Sequence, residues 1–209
     1  MATPATGTGR WTELKTGDLV LFGDGRPILG WFGLVSGPRW RHVGLVLREP
    51  EDAEPLLWEA LPHRSTVRQV ALGGRIGHAL GRVSARRLNR ELGPVQRSRL
   101  QALRREMAAE ARERDLLDLM SAGEDGWLGA STRNLGAPTA GELVARVFAR
   151  LGLLESEARG GTPPGDFTPR HFGEQAGLQL KQGYTFEPEL ALDASEESAP
   201  SAPLEPLPA

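Results

Sequence analysis

The hydrophobic positions in the first half of the chain fall in short runs that are separated by turn signals. Runs of four to eight apolar and β-branched residues, bounded by Gly, Pro and Asp, are typical of strands. The second and third runs are joined by a short charged segment, which favours an antiparallel hairpin. The predicted strands are Leu19–Phe22, His42–Leu47, Leu56–Ala60, Thr66–Leu72 and a last one near Gly81–Ser84.

The apolar spacing changes to that of helices after Arg86. An amphipathic helix is predicted around residues 96–120, on the outside of the domain, and a second helix over Ala140–Leu154, ended by Gly152. Residues 178–192 favour one or two final strands. The predicted apolar positions are Leu100, Leu103, Met107, Ala111 and Leu117 in the first helix, and Leu143, Val144, Val147, Phe148 and Leu151 in the second.

These elements predict an α+β fold, with a small antiparallel sheet packed against helices. A chain of 209 residues is long enough for one domain with its own core. We expect a flexible leader at 1–13, the domain at 14–192, and a disordered, acidic tail rich in Pro, Ala and Ser at 193–209.

The amino-acid composition excludes several kinds of site and partner. The chain has no cysteine, which excludes disulfides, thiolate metal sites and a cysteine nucleophile. A net charge of −2 and a pI near 6.1 predict no nucleic-acid partner. Residues 75–114 carry 11 Arg against 4 Glu. We interpret them as a solvated helix face with Arg–Glu pairs among Arg105, Glu106, Glu110 and Arg114. The alternative is a surface that faces RNA, phospholipid or an acidic partner.

The longest apolar stretch, 27–38, is too short to span a bilayer, and the N-terminus lacks the pattern of a secretory signal. We therefore expect a cytoplasmic protein without a transmembrane segment. Peripheral lipid contact stays open, and no cofactor is expected.

His42 and Glu59 form the first candidate site. His42 opens one strand and Glu59 lies near the end of the next, so a hairpin places both at the same end of the sheet. A carboxylate that orients an imidazole is the base-and-orienter pair of nucleophilic enzymes. The alternative is a structural histidine beside a surface glutamate.

The start of the second helix is the other candidate. Thr139-Ala140-Gly141-Glu142 has the spacing of a capping box, with Thr139 as N-cap, which places Ala140 at the first helical position. The free N–H groups and the dipole at such a position favour a thiolate, but this chain has alanine there. Thr139 is adjacent, yet its hydroxyl is expected to cap the helix rather than react.

Six segments follow one another along the chain: GDLVLF, HVGLVL, LLWEA, RERDLLDLM, AGELVARVFARLGLL and TPPGDFTPRHF. In this order they resemble the permuted papain-like amidases of the YiiX/NlpC-like group. The resemblance covers roughly residues 14–192.

The resemblance implies a thiol hydrolase that acts on peptide, amide or acyl substrates. His42 matches the family's general base, Glu59 its orienting residue, and Ala140 the position of its cysteine nucleophile. The N–H group of residue 140 then helps to hold the oxyanion. Since alanine replaces the nucleophile, the resemblance implies a pseudoenzyme or a Cys-to-Ala inactivated form.

The sequence leaves open whether Ala140 is natural or engineered. The flanking segment Gly136–Thr139, which lacks the large apolar residues common before the family's cysteine, favours a natural inactive homologue. The alternative function, from a different class, is a non-catalytic binding or regulatory module that uses the degenerate cleft.

Two further sets of residues are weaker candidates. His63, His78 and His171 lack metal-ligand spacing with His42, so no metal site is expected. Trp31, Phe32 and Trp40 precede His42, and they are interpreted either as a lid beside it or as core aromatics.

Overall fold

In the part of the chain that the structure describes, six short strands pair into one antiparallel sheet. The computed structural model describes residues 10–24, 40–50, 53–61, 66–121, 138–155 and 160–192. The strands are β1 (Leu19–Gly23), β2 (Trp40–Leu47), β3 (Leu56–Leu61), β4 (Thr66–Ala71), β5 (Val83–Arg86) and β6 (Leu190–Ala191). They lie in the order β4-β3-β2-β1-β5-β6, and each neighbouring pair is antiparallel. The expectation of an α+β fold with an antiparallel sheet is confirmed.

The helices are α1 (Leu72–Gly77), α2 (Pro94–Ser121) and α3 (Ala140–Leu151). Leu100, Leu103 and Met107 of α2 are buried as predicted, whereas the side chains of Ala111 and Leu117 lie outside the described residues. The helix is not simply an outer layer, because it packs against both α3 and β4.

Helix α1 was not predicted, because three of its six residues are glycine, a poor helix former. Tertiary packing stabilises the helix instead, because Leu72 and Ile76 are buried. The ring of Trp11 packs so closely on Gly73 that a Cβ there would lie only 2.7 Å from it. Strand β4 therefore ends at Ala71, one residue before the predicted end.

The other element boundaries also moved. Strand β5 runs from Val83 to Arg86 rather than near 81–84. Within 178–192 the sheet gains Leu190–Ala191 and one isolated bridge between Leu88 and Phe186. Two described ion pairs of the arginine-rich segment join different elements: Arg104 approaches Glu49 at 3.5 Å, and Glu106 approaches Arg150 at 2.9 Å. A third lies within the segment, between Arg97 and Glu91 at 3.0 Å.

The sheet has one large and one small hydrophobic layer. We call its two sides the α3 face and the α1 face, after the helices that cover them. Alternation along the strands sorts the side chains between them. The α3 face carries Leu19, Leu21, Val43, Leu45, Trp58 and Ala60, packed against α2 and α3. The α1 face carries Val20, Phe22, Val46, Leu57, Val83 and Ala85, packed against α1 and Leu14.

Asp18, in the Gly-Asp segment that precedes β1, has a structural role. Its carboxylate is buried and accepts hydrogen bonds from the backbone N–H groups of Lys15 and Leu88, both at 2.9 Å. Burial raises the pKa of this carboxyl, although the two N–H groups oppose the shift. Asp18 therefore ties the start of the sheet to the segment that follows β5.

Candidate functional site

His42 and Glu59 meet on the α1 face of the sheet. The Nε2 atom of His42 lies 2.7 Å from Oε2 of Glu59. The Glu59 side chain is completely buried, whereas 16% of the His42 side chain is exposed. The hairpin of β2 and β3 thus brings the two residues together, as their spacing predicts.

A β-bulge next to His42 decides which face of the sheet Trp40 occupies. Phe22 pairs with His42 and Gly23 pairs with Trp40, so Arg41 is an extra residue in β2. Without the bulge, residues 40 and 42 would share a face. His42 follows the regular alternation of β2 and lies beside the ring of Phe22, with centroids 5.9 Å apart. The bulge turns only Trp40, which joins the hydrophobic core of the α3 face.

Two arginines complete the surroundings of Glu59. Arg68 lies opposite Glu59 in the pairing of β3 with β4, and its Nε and Nη2 donate to Oε1 at 2.9 and 2.6 Å. Arg75 comes from α1, and its Nε donates to Oε2 at 3.2 Å. We call Glu59, His42, Arg68 and Arg75 the Glu59 cluster.

The ring of Phe22 packs against the guanidinium group of Arg75. The guanidinium carbon lies 4.1 Å from the centroid of the Phe22 ring, which is a cation–π distance. Arg75 therefore has two restraints, the ring and the carboxylate. The same ring contacts His42, so Phe22 packs against two members of the Glu59 cluster.

The Glu59 cluster keeps the carboxylate ionised. Burial raises the pKa of Glu59, but hydrogen bonds from His42 and Arg68, together with the charges of His42 and Arg75, outweigh it and lower the pKa to about 2. At neutral pH the cluster thus holds a permanent carboxylate between two guanidinium groups.

The orientation of His42 has a chemical consequence. A carboxylate accepts hydrogen bonds, so the nitrogen that faces Glu59 carries the proton, and in the neutral ring Nδ1 carries the lone pair. Among the described residues, none is hydrogen-bonded to Nδ1. The imidazole therefore has the tautomer of an oriented base, without a described group for it to deprotonate.

The predicted capping box at the start of α3 is present. The N–H of Glu142 donates to Oγ1 of Thr139 at 3.1 Å, and the N–H of Thr139 donates to Oε2 of Glu142 at 3.3 Å. Helix α3 therefore begins at Ala140, as the sequence predicts. The Thr139 hydroxyl is engaged with the backbone, which leaves it unsuited to act as a nucleophile.

Ala140 does not lie beside the histidine. It is 8% exposed and belongs to the hydrophobic cluster of the α3 face, with Val43 and Ala60. His42 and Glu59 lie on the α1 face, so the sheet separates them from Ala140. The structure brings two of the three predicted site residues together and leaves the third apart.

Sequence reasoning missed Arg68 and Arg75. The contact of Arg68 with Glu59 can be inferred from the sequence, because a hairpin of the predicted third and fourth strands places the two residues opposite each other. The contact of Arg75 cannot be inferred in this way, because its position depends on α1, which the sequence did not predict.

The weaker candidates do not join this site. Trp40 packs in the core of the α3 face, and its Nε1 donates to Glu189 at 3.1 Å. Trp31, Phe32 and His63 lie outside the described residues. Nδ1 of His171 accepts the backbone N–H of Thr168 at 2.9 Å. The described residues hold no group of three or more His, Cys, Asp or Glu arranged for a metal ion.

Comparison of the chain with protein-family models, with curated proteins and with solved structures finds no match. None of the described helices combines the length and apolar character needed to cross a lipid bilayer.

The lowered pKa of Glu59 predicts acid sensitivity. Because it is about 2 in the folded chain, against an ordinary value of 4.5, Glu59 stabilises the fold fully above pH 4.5. This contribution, about 3 kcal/mol, is lost as the pH falls from 4.5 towards 2. Asp18, with its raised pKa, changes the stability with pH in the opposite direction. Urea unfolding of the wild type and of Glu59→Gln at several pH values separates the contribution of Glu59 from that of Asp18. The difference in stability between them is expected to shrink over this range, and a constant difference contradicts the prediction.

Proposed function

We propose that this chain is a non-catalytic binding module rather than a thiol hydrolase. The observation that carries the proposal is the placement of the Glu59 cluster on the α1 face, with Ala140 on the α3 face. The imidazole of His42 is oriented by Glu59, and among the described residues no nucleophilic side chain is hydrogen-bonded to it.

Thiol-hydrolase chemistry needs a nucleophile within hydrogen-bond reach of the base. The methyl group of Ala140 has no lone pair, and the sheet lies between it and His42. Thr139 is held by the capping box. Binding needs none of these groups to react, which makes it the function better supported by the geometry.

A masked thiol hydrolase is the second candidate. Two features favour it: the Nε2–carboxylate contact leaves Nδ1 as the basic nitrogen, and a capped helix begins at the position that matches the family's cysteine. In this alternative, Ala140 stands where a cysteine would attack an amide or acyl carbonyl. The two candidates differ in what a restored cysteine would do.

The variant Ala140→Cys, labelled with a thiol-directed acyl electrophile, distinguishes them. We expect the labelling rate to be the same in Ala140→Cys and in the double variant Ala140→Cys/His42→Gln, because His42 lies across the sheet. Mass spectrometry of the labelled protein over time gives both rates, and circular dichroism verifies that both variants fold.

A base that activates the thiol contributes about 100-fold or more to the rate. A loss of that size when His42 is removed therefore contradicts the binding proposal and supports the masked enzyme. Equal slow labelling, or no labelling of either folded variant, supports the proposal.

A further inference from the structure

The Glu59 cluster carries more positive than negative charge. Two guanidinium groups surround one carboxylate, so even with a neutral His42 one positive charge has no counterpart in the cluster. The low pKa of Glu59 means that protonation does not change this balance at neutral pH.

The two arginines also have donors that are not used. Arg68 donates through Nε and Nη2, and Arg75 through Nε. Within the described ranges, Nη1 of Arg68 and both Nη atoms of Arg75 have no hydrogen-bond partner. The Arg68 side chain is 44% exposed and that of Arg75 is 25% exposed, so solutes reach them.

The donors are held in place before any ligand arrives. The buried Glu59 carboxylate restrains one side of each guanidinium, and the Phe22 ring restrains the plane of Arg75. Fixing long side chains in advance lowers the entropic cost of binding. A guanidinium presents parallel N–H groups that match the two oxygens of a carboxylate.

We propose that the Glu59 cluster binds the carboxylate group of a small acid or of a peptide C-terminus, through Arg68 and Arg75. This inference rests on the proposed binding function and names its ligand class. The single uncompensated charge favours a monoanionic carboxylate over a phosphate dianion. In this site Glu59 is the support that fixes the arginines, and it does not touch the ligand.

Matched ligands test the charge requirement. An N-acetylated dipeptide with a free C-terminal carboxylate is compared with its C-terminal amide, and with acetate and inorganic phosphate, by amide NMR titration at low salt. We expect saturable binding of the acid and of acetate, and at least tenfold weaker binding of the amide and of phosphate. Equal affinity for the acid and the amide overturns the proposal, and so does tighter binding of phosphate.

Variants assign the site. Arg68→Gln and Arg75→Gln are expected to weaken acid binding at least tenfold, whereas Arg105→Gln, an exposed arginine of α2, leaves it unchanged. If a Gln variant does not fold, Arg→Lys at the same position is used. Lysine retains the charge but lacks the parallel N–H groups of the guanidinium, and weaker binding is again expected. Equal loss in Arg105→Gln, or unchanged binding in folded Arg68 and Arg75 variants, contradicts the assignment.

Failure of this inference leaves the proposed function intact, because the labelling of Ala140→Cys does not depend on the ligand. Conversely, His42-dependent labelling overturns the proposed function even if carboxylates bind. The two experiments therefore report separately on the chemistry of the domain and on the ligand of the Glu59 cluster.

Discussion

Glu59→Gln is expected to lower the free energy of unfolding by about 3 kcal/mol. The buried carboxylate accepts hydrogen bonds from His42, Arg68 and Arg75, and a neutral amide leaves both guanidinium groups without their counter-ion. Breaking one side of a buried ion pair costs about 3–5 kcal/mol. We expect the lower end of that range, because the arginines are partly exposed and can turn towards water.

Glu106→Gln is the matched control. Glu106 pairs with Arg150 at 2.9 Å, but both side chains are largely solvent-exposed, and such pairs contribute about 0–1 kcal/mol. Chemical denaturation at pH 7, followed by circular dichroism, measures both variants. If the two lose the same stability, Glu59 does not have the central role in the cluster that the structure assigns to it.

Gly141→Ala is expected to destabilise the chain by about 2 kcal/mol, although alanine is the better helix former. A Cβ at this position would lie 2.3 Å from the carbonyl oxygen of Phe167 and 2.8 Å from the carbonyl carbon of Thr168. Both are backbone atoms, which cannot rotate away. The strain of such overpacking, about 1–3 kcal/mol or more, exceeds the gain of about 1 kcal/mol from helix propensity.

Gly74→Ala provides the control for that substitution. Gly74 lies inside α1, and a Cβ there would meet no atom within 4 Å. The same exchange is therefore expected to be neutral, or stabilising by up to about 1 kcal/mol. Thermal unfolding of the two variants tests the pair, and equal effects would mean that α3 does not approach Phe167 closely.

The sequence predicted the local features of the candidate site well. The hairpin spacing placed His42 and Glu59 at the same end of the sheet, and the Thr139–Glu142 capping box placed the start of α3 at Ala140. Each inference depends on residues close together in the chain, where backbone geometry leaves few alternatives. The resemblance to papain-like amidases and the roles it implies stay predictions.

The two arginines that complete the Glu59 cluster were not predicted from the sequence. Arg75 reaches Glu59 through α1, a glycine-rich helix whose local propensity opposes it and which the packing of Leu72, Ile76 and Trp11 stabilises. Arg68 joins the cluster through the register of β4 on β3. Neither position follows from hydrophobic periodicity alone.

The sequence by itself determined the approximate positions of the main strands, the helix that begins at Ala140 and the absence of a thiol, and it placed His42 and Glu59 at the same end of the sheet. Only the tertiary structure decided which face of the sheet each group occupies. Regular alternation from His42 to Leu47 places His42 on the α1 face, and the extra residue at Arg41 turns Trp40 to the α3 face. Alternation relates neighbours within a strand, but burial across the whole sheet selects the face that the larger helices cover.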